Sequence, residues 1–263
     1  SQEGSQEQIN LTERTQPLLL ASSVAVWRVW MDKNGAMPAV LAGHSLGEWS
    51  ALVCAGAVKF EDAVGIVRSR GALMQDAVPV GIGAMAAIIG LDDESICQSC
   101  ADARGDEVVD AVNFNAPGQV VIAGSADAVG RAIELCKAAG AKRALPLPVS
   151  APFHTSLMAP AAERLTEQVR SVTFSAPEIP VIHNVHGQSE SDPAVIKKLM
   201  LEQIYSPVRW VDCVLELRRR GAEQFVECGP GRVLSGLSKR INREIVSFST
   251  DDVASLKNAL AAV

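Results

Sequence analysis

Ala39-Val40-Leu41-Ala42-Gly43-His44-Ser45-Leu46-Gly47-Glu48-Trp49-Ser50-Ala51-Leu52-Val53 places a Gly-x-Ser-x-Gly pentapeptide between an apolar run and a helix-like stretch. Strand, sharp turn and helix form the context in which such a serine becomes an exposed nucleophile. The glycines on either side are expected because a side chain there would collide with the neighbouring strand or helix in so tight a turn. A helix starting after Ser45 would also aim free backbone N–H groups at a reacting carbonyl.

Outward from that turn, the pattern is α/β. Residues 17–31 read as an apolar helix stopped by Asn34-Gly35, and Pro38 precedes the strand that leads to Ser45. Helices follow at 46–55 and 60–77, the second with Val64, Val67, Leu73 and Met74 at roughly helical spacing. The stretch 80–149 reads as a unit of its own: strand 84–89, a helix opened by Asp92-Asp93-Glu94-Ser95, strands 108–114 and 119–123, helix 125–139 closed by Gly140, and strand 144–149. The order βαββαβ is that of a ferredoxin-like module. Helices near 156–170, 193–204, 209–220 and 232–241 then alternate with strands near 179–183, 223–228 and 245–249, which argues for a mainly parallel sheet covered on both faces. The expected organisation is a large subdomain made of 1–79 and 150–263, interrupted by a small one at 80–149.

Composition narrows the function classes. Of 263 residues, 48% are hydrophobic and 21% charged, which gives a globular core rather than disorder. The net charge of −6 argues against nucleic acid as the main partner. No apolar run approaches the length of a bilayer span and no signal peptide opens the sequence, so a cytoplasmic protein that leaves membranes alone is expected. The six cysteines at 54, 97, 100, 136, 213 and 228 read as free thiols. Cys97 and Cys100 stand one helical turn apart, with no second pair to make a zinc site.

A serine needs a base to take its proton. His44 is adjacent to Ser45 and projects elsewhere, so it is a poor base. His183 and His186 lie near a strand end without a carboxylate or cysteine at ligand spacing, and no metal site is expected. His154 lies in the proline-bracketed loop Pro148-Val149-Ser150-Ala151-Pro152-Phe153-His154, where base and structural histidine are both open readings. Arg70, in Val67-Arg68-Ser69-Arg70-Gly71, reads either as an exposed arginine or as a guanidinium turned inward to hold a substrate carboxylate. Gly81-Ile82-Gly83-Ala84-Met85-Ala86 mimics a dinucleotide fingerprint but precedes a strand instead of following one. Cys228-Gly229-Pro230-Gly231 is a strand-to-helix turn without a Walker lysine.

Gly43-His44-Ser45-Leu46-Gly47-Glu48, Arg70-Gly71, Asn113-Phe114-Asn115-Ala116-Pro117-Gly118-Gln119, Pro148 to His154 and Glu227-Cys228-Gly229-Pro230-Gly231 run in one order along the chain. In these segments the sequence resembles the malonyl-CoA:acyl carrier protein transacylases of bacterial type II fatty-acid synthesis. The resemblance extends from Thr15-Gln16-Pro17 nearly to the C-terminus. It implies an α/β-hydrolase-like large subdomain with a parallel sheet and an inserted ferredoxin-like small subdomain. It implies Ser45 as nucleophile, His154 as its base, Arg70 on the malonyl carboxylate, and the Gln203 backbone carbonyl orienting the histidine. Gln16 and Asn115 match positions near the site. Phe153 resembles the malonyl-selective form of its motif, its ring crowding a methyl-branched acyl group. No bound cofactor is implied; coenzyme A enters as the thioester substrate, and acyl carrier protein is the partner. Lys142-Arg143, Lys197-Lys198 and Lys239-Arg240 are basic pairs for docking an acidic carrier.

The family begins with a strand and a Gly-Gln-Gly-Ser-Gln loop whose glutamine donates to the oxyanion. This sequence starts further on. Gly4-Ser5-Gln6 echoes the loop but stands too close to Thr15-Gln16-Pro17 and follows no strand. The resemblance therefore implies a missing N-terminal strand and leaves the Leu46 N–H as oxyanion donor; one lost donor costs about 100- to 1000-fold in rate. Two other functions fit the same residues: a serine hydrolase of acyl thioesters, and a carrier-binding module inactivated by the N-terminal truncation.

Overall fold

The computed structural model describes residues 9, 11–149 and 151–263; Gly4-Ser5-Gln6 lies outside them. Among the described residues the first elements are helix α1 (Thr12–Asp32), strand β1 (Leu41–Ala42), helix α2 (Leu46–Cys54) and helix α3 (Phe60–Asp76). α1 starts a turn earlier than Pro17 suggests, and Pro17 lies inside it. The extra turn is held by tertiary contact. A Cβ at Gly71 of α3 would stand 2.5 Å from the Thr12 carbonyl oxygen, so only glycine admits this approach of the two helices. α3 turns Ala63, Ile66, Val67, Arg70, Gly71 and Met74 inward, one stripe at helical spacing. α2 is buried almost all round.

The small unit follows as strand β2 (Gly83–Ile89), helix α4 (Asp93–Arg104), strands β3 (Val109–Ala116) and β4 (Gln119–Ser125), helix α5 (Ala126–Ala138) and strand β5 (Arg143–Pro146). The Asp92 side chain accepts from the Ser95 N–H and caps α4. The antiparallel order β3-β4-β2-β5 is the ferredoxin-like arrangement. Its apolar face joins Ala86, Ile88, Val109, Val120 and Ile122 to Ile96 and Cys100 of α4 and Val129, Ala132 and Cys136 of α5. Cys97 and Cys100 share α4, the first exposed and the second buried.

The chain then returns through a 3₁₀ turn at Ser156–Met158, helix α6 (Ala159–Ser171), strand β6 (Val181–Ile182), helix α7 (Pro193–Glu202), helix α8 (Trp210–Arg219), strand β7 (Gln224–Glu227), helix α9 (Val233–Ile241), strand β8 (Val246–Ser249) and helix α10 (Val253–Ala262). The parallel strands come as two pairs, β1 with β6 and β7 with β8. Val40, Ala42, Ile182, Phe225 and Leu234 share one apolar cluster. Glu227 ends β7 and accepts from the Leu234 and Ser235 N–H groups, so the Cys228–Gly231 turn is a structural link into α9. α10 is an element the periodicity does not reveal. Its cap does, since the Asp252 side chain accepts from the Ser255 N–H.

Two main-chain bonds tie the small unit to the large one: Phe114 N–H to the Val208 oxygen at 3.0 Å, and Val208 N–H to the Val112 oxygen at 2.8 Å. Phe153 packs against the cores of both.

Candidate active site

β1 pairs with β6 in parallel, Leu41 opposite Val181 and Ala42 opposite Ile182. The two chains therefore leave the pair side by side at its carboxyl end, where open α/β sheets build their sites. Ser45 follows β1 and Asn184 follows β6. The Ser45 N–H donates to Asn184 Oδ1 at 2.7 Å, and Asn184 Nδ2 donates to the Gly43 oxygen at 2.8 Å.

Ser45 has φ 51° and ψ −106°, a strained conformation for a residue with a side chain. The turn into α2 is so tight that a Cβ at Gly43 would lie 2.0 Å from the Gly47 backbone. The expectation of the same constraint at Gly47 is not met, because a Cβ there has no neighbour within 4 Å among the described residues. Gly47 lies on the outer side of the turn whose inner side Gly43 occupies. Gly47 and Glu48 N–H close the turn on the His44 and Ser45 oxygens, and the Leu46 N–H is not among these donors.

His154 comes from the loop after β5, itself at φ 65°. Its Nε2 lies 2.8 Å from Ser45 Oγ, and its Nδ1 lies 2.8 Å from the Gln203 carbonyl oxygen. A carbonyl only accepts, so Nδ1 carries the hydrogen and Nε2 presents a lone pair to the hydroxyl. Burial, reinforced by the Arg70 charge and opposed by the Gln203 carbonyl, pushes the His154 pKa down to about 3. The ring is neutral at pH 7.

Arg70 is buried on the inward stripe of α3, which rules out the exposed reading of the sequence. Nη1 donates to Gln16 Oε1 at 2.7 Å, while Nη2 donates to Gln203 Oε1 at 2.8 Å and to Ser45 Oγ at 3.2 Å. Its Nε–H is buried without an acceptor among the described residues. Burial lowers its pKa to about 10, against the opposing pull of Glu48. The group stays a cation at pH 7.

The remaining residues fall at graded distances. Gln16 reaches the site through α1, held there by Arg70. Asn115 accepts from His44 rather than meeting Ser45: its Oδ1 lies 2.8 Å from His44 Nε2. His44 also meets Trp210, ring centroids 5.6 Å apart, and burial lowers its pKa. Phe153 is half-buried next to His154. Among the basic pairs, Lys197 Nζ is taken by the Arg170 oxygen and the Phe174 ring, and Arg240 by Gln119 of the small unit.

Three residues of this site were given no role in it by the sequence: Glu48, His183 and Asn184. Glu48 is wholly buried and accepts from Asn184 N–H at 3.1 Å and Gln203 Nε2 at 2.7 Å, with His183 Nδ1 at 2.7 Å. Gln203 Nε2 also donates to the Ser45 carbonyl oxygen at 2.9 Å. A glutamate inside an otherwise apolar helix was the one available hint. Among the described residues no group of three His, Cys, Asp or Glu side chains could hold a metal ion, and no helix is long and apolar enough to cross a membrane.

Residues 2–256 match the family model described as an acyl transferase domain, which with the fold defines the chain as an acyltransferase. The malonyl CoA-acyl carrier protein transacylase of Salmonella typhimurium is 53% identical over 260 residues, covering 99% of this chain and 84% of that protein. The Bacillus subtilis protein of the same name is 46% identical over 260 residues, 98% of this chain and 81% of its own. The crystal structure of an acyl carrier protein S-malonyltransferase from Vibrio cholerae superposes with a TM-score of 0.96 at 57% identity, covering 97% of this chain and 84% of that one. A malonyl-transacylase solved in complex with its type II PKS acyl-carrier protein gives a TM-score of 0.98 at 50% identity, covering 99% of this chain and 84% of that one. The chain belongs to the malonyl CoA-acyl carrier protein transacylase family.

Proposed function

We propose that this chain transfers a malonyl group from malonyl-CoA to the phosphopantetheine thiol of acyl carrier protein, through an ester on Ser45. The observation that carries the reading is the line Ser45 Oγ, His154 Nε2, His154 Nδ1, Gln203 oxygen, with the Arg70 guanidinium beside the same hydroxyl. His154 takes the Ser45 proton as Oγ attacks the thioester carbonyl. The oxyanion forms against the Leu46 N–H at the start of α2. The C–S bond then breaks, and the imidazolium returns its proton to the departing coenzyme A thiolate. In the second half the carrier thiol gives its proton to His154 and attacks the ester. Collapse of that intermediate expels Ser45 Oγ, which recovers the proton.

The Gln203 carbonyl does the work an aspartate does in many serine enzymes. It fixes the imidazole tautomer without adding a negative charge, which accords with the low basicity of His154 in the free enzyme. Arg70 supplies acyl selectivity. In the free enzyme Nη2 donates to Ser45 Oγ; a malonyl carboxylate takes over as acceptor, and the buried Nε–H is a further donor for it. Phe153 narrows the space for a branch on the acyl chain. Gln16 and Gln203 aim the guanidinium, and Asn115 steadies the elbow through His44. We assign 1–79 and 150–263 to the catalytic subdomain and 80–149 to a ferredoxin-like small subdomain. No step uses a bound cofactor, and the setting is the cytoplasm.

Intact-mass measurement after incubation with malonyl-CoA tests this directly. A malonyl adduct should form on the wild type, be discharged by holo acyl carrier protein, and be absent from Ser45→Ala. Free malonate released at one rate with and without carrier would instead make the chain a hydrolase. No adduct with carrier still bound would make it a binding module.

A further inference from the structure

Glu48 touches no reacting atom, yet each group that holds the reacting atoms leads back to it. Its carboxylate has three partners: the Gln203 side-chain amide, the Asn184 backbone N–H and His183 Nδ1. Two of these residues grip the strained Ser45 backbone from opposite sides. Asn184 Oδ1 accepts the Ser45 N–H at 2.7 Å, and Gln203 Nε2 donates to the Ser45 oxygen at 2.9 Å. Gln203 also fixes the other two members of the site, with its backbone oxygen on His154 Nδ1 and its Oε1 on Arg70. The amide of Gln203 can face only one way. Its oxygen meets a cation, and its nitrogen meets a carboxylate and a carbonyl. The carboxylate, with the Ser45 carbonyl, thus holds the nitrogen of Gln203 and leaves its oxygen toward Arg70. It is also the buried negative charge that opposes the loss of the Arg70 proton. A φ of 51° at Ser45 persists only where its surroundings over-determine it, and Glu48 anchors both side-chain bonds that do so.

We infer that Glu48 is a positioning residue, acting through Gln203 and Asn184 to set the Ser45–His154 contact and the aim of Arg70. This rests on the acyl-transfer reading above. The test compares Glu48→Ala with the wild-type chain, using acetyl-CoA and malonyl-CoA as donors and rates normalised to folded protein. Misplacement of catalytic groups by about 1 Å costs on the order of 100-fold. The expected result is therefore a kcat for acetyl transfer lowered by about 100-fold with KM within about threefold, and a malonyl-over-acetyl preference lowered by about tenfold. A merely structural glutamate would lower the melting temperature and leave both kcat and the preference of the folded fraction unchanged, which would overturn the inference. Should Glu48→Ala not fold, Glu48→Asp keeps the charge but draws it back by one methylene. Its folded fraction should still lose about tenfold in kcat, and a kcat equal to wild type would overturn the inference equally. A wild-type chain that forms no ester on Ser45 would refute the acyl-transfer reading instead, before any Glu48 variant is compared.

Discussion

Replacing Arg70 with alanine separates acyl selectivity from acyl transfer. On the proposed mechanism, malonyl and acetyl groups make the same ester on Ser45 and differ in one carboxylate. Truncating the cationic partner of a buried, hydrogen-bonded charge pair costs about 2–5 kcal/mol. At about 1.4 kcal/mol per tenfold, kcat/KM for malonyl-CoA should fall roughly 30- to 4000-fold. Acetyl-CoA offers no carboxylate to lose; among the reacting groups, Arg70 touches only Ser45, through the Nη2 bond to Oγ, 3.2 Å long in the free enzyme. A long hydrogen bond from a charged donor is worth about 1.5 kcal/mol, so the loss should stay near tenfold. The variant has a second readout. Burial is the largest cause of the low His154 pKa of about 3, and the Arg70 charge is the next. Removing that charge leaves burial in place and raises the His154 pKa, so the acid limb of the acetyl-transfer rate profile should move to higher pH. The assay is kcat/KM for both donors across pH. Equal losses for the two donors would refute the clamp, and an unmoved acid limb would refute the electrostatic coupling.

Three further outcomes follow from the same geometry. Gly43→Ala forces a methyl into the Gly47 backbone and should destabilise by about 3 kcal/mol or more, whereas Gly47→Ala, in open space at the start of α2, should be neutral or stabilising by up to about 1 kcal/mol; equal melting shifts for the two would contradict the asymmetry of the turn. Phe153→Ser should admit methylmalonyl-CoA at a measurable rate while lowering the melting temperature, since the ring also packs against both cores; continued refusal of the branched donor would remove Phe153 from selectivity. His154 is held near pKa 3 in the folded chain against an ordinary 6.5, so between those values the unfolded state binds the extra proton. The stability contributed by the neutral ring is complete above about pH 6.5 and declines as pH falls toward 3; urea midpoints should therefore drop less from pH 7 to 4 in His154→Gln than in wild type, and parallel drops would show that the ring is not protected from protonation.

Most of the elements, α10 excepted, and the candidate nucleophile Ser45 are legible in the amino-acid order, because both are written in local spacing. The pentapeptide at 43–47 states its own turn, Asp92 caps its own helix, and the small unit announces its strand order through alternation and turns. The inward aim of Arg70 was also legible in principle, since 63, 66, 67, 70, 71 and 74 form one face of a helix. The tertiary structure alone decided which residues meet. Ser45 and His154 are 109 positions apart and Glu48 and Asn184 136 apart, and no local pattern links them. They meet because parallel pairing of β1 with β6 sets two chain segments side by side, and because the loop after the small unit returns to that edge. The carboxylate behind the site stayed hidden for the same reason. A buried charge is stable only where distant donors converge on it, and that convergence exists only in the folded chain.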